Sequence, residues 1–211
     1  MTNEADSDLH VGPDGVARCG WSGIHHADYR DYHDREWGKP VHGEAPLLER
    51  LCLEGFQSGL SWLVILRKRP GFRRAFADFD PDVVAGFGPA DVERLLRDEG
   101  IVRNRRKIEA TIENARATVA LREHGGLEEV LWTHAPEPTP RPQGFADVPA
   151  QTPESEQLAK RLRKVGFVQI GPTTVYAAMQ ACGLVDDHLA GCFRAGASRS
   201  GSRLTGMRAG S

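Results

Sequence analysis

Apolar residues recur along this chain mainly at helical spacing. Leu47, Leu48, Leu51 and Cys52 form one stripe, Leu63, Ile65 and Leu66 a second, and Ile108, Ile112, Ala115 and Val119 a longer third. Glycine and proline divide them. In "DFDPDVVAGFGPADVERLLRDEGI", Asp80 precedes Pro81, Gly88 precedes Pro89 and Gly100 closes the stretch, which predicts two short helices. The third stripe closes at Gly125. Thr152 stands as an N-cap with Pro153 in the first turn, and the helix behind it carries Leu158, Leu162 and Val165 up to Gly166. Pro172 and Thr173 open another that stops at Gly183, while the proline-rich "THAPEPTPRPQGFADVPAQT" reads as a loop. No internal repeat and no alternating pattern of useful length marks a strand. The expected class is all-α, with one continuous folded region over 18–194 between disordered tails at 1–17 and 195–211, neither of which carries any periodicity.

At 211 residues, with 40% hydrophobic residues and a formal charge of −2, the chain suits one globular domain with its own core. No run reaches transmembrane length, and the acidic start lacks the basic and apolar parts of a secretory signal. A cytoplasmic protein is expected, in which four cysteines read as reduced thiols or metal ligands. The total charge leaves nucleic acid open as a partner, because binding needs a local basic surface. The clusters "RKRPGFRR", "RNRRK" and "KRLRK" are of the kind that a solvated helix face also carries.

Candidate chemistry lies at both ends of the folded region. In "VDDHLAGC", His188 and Cys192 would stand one turn apart on one face if the segment is helical. Cys19 and His33 flank "CGWSGIHHADYRDYH", which is too irregular for a helix face to explain. Together the four have the composition of a closed zinc site. His25, His26 and Cys182 are also available to such a set, and buried thiols with a surface histidine account for the same residues. The N-terminal segment also holds Trp21, Tyr29, Tyr32 and Trp37, which suit either a core or a binding surface.

Glu54 falls on the apolar stripe of "PLLERLCLEG", over Leu47 and Leu51. A carboxylate there must leave the stripe, find a partner or serve a ligand, because an unpaired buried charge is costly. Downstream, "FQSGLSW" breaks the helix at Gly59 before Trp62 starts another. In "GFVQIGPTT", the helix beginning after Gly171 at Pro172 and Thr173 would aim free backbone N–H groups outward, as phosphate-gripping helical hairpins do.

"RCGW", "YHDREWG", "LCLEGFQSGLSW", "FDPDVV", "GIVRNRRKI", "GPTTVYAAMQACGLV" and "DHLAGC" resemble, in order and spacing, the DNA-3-methyladenine glycosylase I family, over about Arg18 to Phe193. The resemblance implies a two-lobed helix-hairpin-helix glycosylase fold with the active cleft between the lobes. It implies one structural Zn2+ held by Cys19, His33, His188 and Cys192, joining the N- and C-terminal segments. Glu54 takes the place of the base-recognition glutamate, Tyr32 and Trp62 those of the stacking aromatics, with Trp21 and Tyr29 nearby. Gly59 and Leu60 take the place of a DNA-probing turn, and Gly171 and Thr173 lie in the hairpin. The implied activity is monofunctional excision of 3-methyladenine from alkylated double-stranded DNA by a cytoplasmic monomer, leaving an abasic site and the free base. The wider superfamily has a catalytic aspartate in a Val-Asp-x-His context, where this family usually has asparagine. Here the position is Asp186, either a catalytic carboxylate or a local N-cap.

Two other classes fit the sequence less well. A zinc hydrolase or deaminase, in which the metal activates water, would need an open coordination position that a four-ligand site lacks, and no His-x-Glu in the chain is followed by Pro-Cys-x-x-Cys. A non-catalytic zinc-stapled DNA-binding module would need neither the carboxylate on an apolar stripe nor the aromatic cluster.

Overall fold

The computed structural model describes residues 8–196. Among them a short hairpin, β1 (Leu9–Val11) and β2 (Ala17–Cys19), precedes nine α-helices. These are α1 (Ala27–Arg35), α2 (Glu44–Gln57), α3 (Trp62–Ala75), α4 (Pro81–Ala85), α5 (Pro89–Arg97), α6 (Arg105–Leu121), α7 (Gly126–Trp132), α8 (Pro153–Lys164) and α9 (Pro172–Ala181).

Helix boundaries follow local chemistry. Asp80 accepts hydrogen bonds from the backbone N–H groups of Asp82 (2.9 Å) and Val83 (3.3 Å) at the start of α4. Thr152 accepts from Ser155 N at 3.3 Å at the start of α8, with Pro153 in the first turn as expected. Asn104 caps α6 in the same way through Lys107 N, a signal the apolar pattern does not contain. Gly59, at φ +81°, separates α2 from α3.

Four features depart from the sequence expectations. Residues 9–17, expected to belong to a tail, form the hairpin, pairing Leu9 with Cys19 and Val11 with Ala17. Three-residue strands are too short to show an alternation. Residues 1–7 and 197–211 lie outside the described residues. The segment around Tyr29 is helical (α1), although only Tyr32 and His33 of it are buried, so no aliphatic stripe announces it. Helix α7 is a further element outside the sequence expectation. Residues 185–192 are not helical, so His188 and Cys192 are brought together by a turn and not by one helix face.

The core is organised around α2, which packs against α3, α6, α7 and α9. Helix α2 buries even Glu49 and Arg50. Glu49 accepts from Arg69 Nε (2.7 Å), Arg73 Nε (2.8 Å) and Arg50 Nη1 (3.0 Å), and Glu36 bridges Arg50 and Arg69 from α1's C-terminal end. These buried charges are therefore paired, as their burial requires. Helices α8 and α9 pack on each other across a short turn. That turn is held by Asn114 of α6, whose side chain accepts from Val168 N (2.8 Å) and donates to Val168 O (3.4 Å).

Candidate active site and metal centre

A cavity of about 630 Å³ opens where α1, α2, α3 and α9 meet. Glu54 lines it from the last turn of α2, Tyr29 and Tyr32 from one face of α1, Trp62 from the start of α3, and Trp21 from the loop after β2. All five expected pocket residues are thus brought together. Trp21 lies 5.4 Å from Tyr29 and 6.4 Å from Tyr32 between ring centroids, and Tyr32 lies 5.3 Å from Trp62. The rings form a continuous aromatic wall, not a pair of parallel faces.

Glu54 is buried at 7% exposure, and neither of its carboxylate oxygens has a hydrogen-bond partner among the described residues. Arg50, one turn earlier on α2, is committed to Glu49 and Glu36. Burial therefore dominates and pushes the Glu54 carboxyl up to about 8, with Arg50 opposing from a distance. The same burial, reinforced by Glu54, raises the hydroxyl of Tyr29 to about 12. Of the three fates open to a carboxylate on an apolar stripe, leaving it and finding a partner are both excluded. The carboxylate instead faces the cavity.

Cys19, His33, His188 and Cys192 converge beside this wall, all four buried, with their ligand atoms within 4.8 Å of one another. The sulfur-to-nitrogen separations are 3.7 Å for Cys19 and His188 Nδ1, 3.5 Å for Cys192 and His33 Nε2, and 3.6 Å for Cys192 and His188 Nδ1. A tetrahedron with metal–sulfur bonds of about 2.3 Å and metal–nitrogen bonds of about 2.0 Å has such edges at about 3.5 Å. The outer ring nitrogens are oriented as ligands require. His33 Nδ1 lies 2.8 Å from Asp34, which Arg18 holds, and His188 Nε2 lies 3.3 Å from Trp37 O. Backbone N–H groups of Leu189 and Arg194 point to the two sulfurs at 3.4 Å each. The donor set fits a metal ion of the zinc type. His33 also packs edge-on against Trp21 at 4.9 Å, so the cluster and the cavity share a wall.

A family model described as methyladenine glycosylase matches residues 21–195. The chain belongs to the methyladenine glycosylase family. It is 44% identical over 181 residues to the DNA-3-methyladenine glycosylase of Haemophilus influenzae, covering 84% of this chain and 97% of that protein. It is also 44% identical to DNA-3-methyladenine glycosylase 1 of Escherichia coli, covering 84% of this chain and 96% of that one. Among solved structures, 3-methyladenine DNA glycosylase I matches at a TM-score of 0.79 and 44% identity, over 83% of this chain and 98% of that chain. A variant of 3-methyladenine DNA glycosylase I in complex with 3-methyladenine matches at a TM-score of 0.76 and 32% identity, over 81% of this chain and 93% of that chain.

Relative to this cavity, a methyladenine glycosylase of this sequence places its other expected residues outside. Gly59 and the 41% exposed Leu60 form the turn just before Ser61 and Trp62, which line the cavity. Gly171 and Thr173 sit at the first turn of α9, where Gly171 provides no side-chain cap, while Ala177 and Gln180 further along α9 reach the cavity. Asp186 lies away from it. Its carboxylate accepts from His188 N (3.4 Å) and Gly196 N (3.3 Å) and pairs with Arg141 at 3.5 Å, which makes it a cap of the loop and not of a helix. The adjacent Asp187, together with Trp37, Gln57, Gln180 and Phe145, lines the cavity and was not singled out as a site residue. Gln57 and Gln180 are only partly buried polar residues at the ends of α2 and α9, Phe145 opens a single 3-10 turn, and Trp37 and Asp187 lie outside helices, so no apolar stripe flags any of them.

Proposed function

We propose that this cavity receives a flipped 3-methyladenine nucleotide and that the chain hydrolyses its N-glycosidic bond, in base excision repair of alkylated DNA. The observation that carries this reading is Glu54, a buried carboxylate without a partner, at the end of an aromatic pocket. Methylation at N3 gives the adenine a positive charge. The carboxylate attracts that charge and accepts hydrogen bonds from the base edge, and the rings of Tyr32, Trp62, Trp21 and Tyr29 attract it through their faces. Burial favours neutral Glu54, and an arriving cation draws it to the ionised form, so neutral adenine gains far less from the same site. The charged base is already a good leaving group, and water takes its place on the sugar without a strong acid.

In this reading Gly59 and Leu60 probe the duplex where the nucleotide has left. Helices α8 and α9 form the helix-hairpin-helix, whose free N–H groups at Gly171 and Thr173 take a backbone phosphate, and the cavity is the cleft of a two-lobed fold. Zinc, held by Cys19, His33, His188 and Cys192, supplies a structural clip, since four protein ligands leave no position for water. One chain provides both ligand pairs and every cavity wall, which supports a monomer, and its four cysteines, none of them in a disulfide, suit a cytoplasmic, reducing setting. Incubating the protein with methylated duplex DNA and identifying the released bases tests the proposal. Free 3-methyladenine is expected; DNA binding with no base release would favour a non-catalytic module.

A further inference from the structure

Asp187 places a second carboxylate in the cavity that Glu54 lines. Its Oδ2 accepts two hydrogen bonds, from the hydroxyl of Tyr176 at 2.7 Å and from the side-chain amide of Gln180 at 2.8 Å. Both donors stand one turn apart on α9, and Tyr176 is buried. Its Oδ1 has no hydrogen-bond partner, and no cation pairs with it, among the described residues; the nearby Arg141 is paired with Asp186 instead. The backbone on its C-terminal side is fixed as well, because His188 belongs to the metal cluster and its N–H is capped by Asp186. A tether to α9 needs only the oxygen already used. Two neutral donors hold the group in one orientation without cancelling its charge, and the second oxygen is left for whatever enters the cavity.

One positive charge occupies two places during removal of a methylated base. Before cleavage it lies on the base, beside Glu54 and the aromatic wall. As the bond between C1′ and N9 breaks, its electron pair goes to the base, which leaves as neutral 3-methyladenine, and the positive charge moves to the sugar. A water oxygen then bonds to C1′, and the proton it sheds passes to bulk water. Glu54 is suited to the first location and leaves the second uncompensated.

We propose that Asp187 is a catalytic carboxylate that faces the deoxyribose and stabilises the positive charge developing at C1′, with Tyr176 and Gln180 as its positioning residues. This rests on the function proposed above. Charge preorganised toward a transition state is worth more than the same charge in water, and loss of one such group typically costs roughly 100-fold in rate.

The test uses Asp187→Asn, whose carbonyl still accepts from Tyr176 and Gln180 while the charge is gone. Single-turnover excision from methylated duplex should fall roughly 100-fold, with affinity for free 3-methyladenine, metal content and melting temperature unchanged. Excision within about twofold of wild type would overturn the proposal, and so would an equal loss of free-base affinity, which would put Asp187 at the base. A binding measurement covers the case in which the variant is less stable. Duplexes carrying a protonated pyrrolidine in place of the sugar should bind wild type more tightly than those carrying neutral tetrahydrofuran. Asp187→Asn should abolish that preference and Glu54→Gln should retain it. The same preference in wild type and Asp187→Asn overturns the assignment. A wild-type protein with the preference but without 3-methyladenine release would contradict the proposed substrate and leave the sugar-facing carboxylate in place.

Discussion

Glu54→Gln should make this protein more stable while impairing its activity, and the stability gain should depend on pH. The side chain keeps its shape and loses its ability to ionise. In the folded protein burial holds the Glu54 carboxyl at about 8, against an ordinary value of 4.5. Below pH 4.5 the carboxyl is protonated in both folded and unfolded chains and costs nothing extra. As the pH rises toward 8 the unfolded chain releases this proton while the folded chain retains it, so the folded state loses stability throughout that window. Each pH unit is worth about 1.4 kcal/mol, which puts the difference between wild type and variant at about 2–3 kcal/mol more at pH 7 than at pH 5. For a chain of this size that corresponds to a melting-temperature gap widening by roughly 5–10 °C. Other titrating groups are common to both proteins and cancel. Thermal unfolding of the pair at pH 5, 6, 7 and 8 measures the gap directly. A gap that does not change with pH would mean that Glu54 is already ionised in the folded state, and would remove the account of an unpartnered carboxyl awaiting a cationic ligand.

Other outcomes follow from the cavity and the metal cluster. Cys192→Ser should lower bound zinc and melting temperature together, because metal binding and folding are coupled; elemental analysis and calorimetry check it. Chelation of the wild-type protein should also disturb tryptophan fluorescence, since Trp21 lies against His33 and Trp37 lies 4.6 Å from His188. Trp62→Ala should weaken binding of free 3-methyladenine by about 1–3 kcal/mol, the usual worth of one stacked base, and unchanged affinity in a titration would return Trp62 to the core. Asp186→Asn keeps one capping oxygen of two and should cost about 1 kcal/mol of stability or less, with little change in the excision rate.

Much of the helical framework was legible where helices carry aliphatic stripes or prolines at their starts, as in α4, α5, α8 and α9. It failed for α1, because that helix buries an aromatic face and a histidine, and for the hairpin, whose strands are shorter than one alternation. The metal cluster could be assembled from residue types, although the helical spacing invoked for His188 and Cys192 is not what joins them: the loop after α9 folds back across β2. Glu54 was visible because a charge on an apolar stripe is a local contradiction, and the structure resolves it with a cavity. Asp187 gave no such signal. In a loop there is no stripe for a carboxylate to violate, and its two partners lie 7 and 11 positions earlier on another element. Asp186 drew attention through its sequence context, and only the chain's turn there decides that its neighbour faces the cavity.

The central claim is that Glu54 recognises a cationic methylated adenine in this cavity. Its most direct test is single-turnover release of bases from one methylated duplex by wild type and Glu54→Gln, with zinc content measured on both. The account predicts rapid release of 3-methyladenine by wild type and a sharp loss in the variant at unchanged zinc content. Equal rates for the two proteins would contradict it.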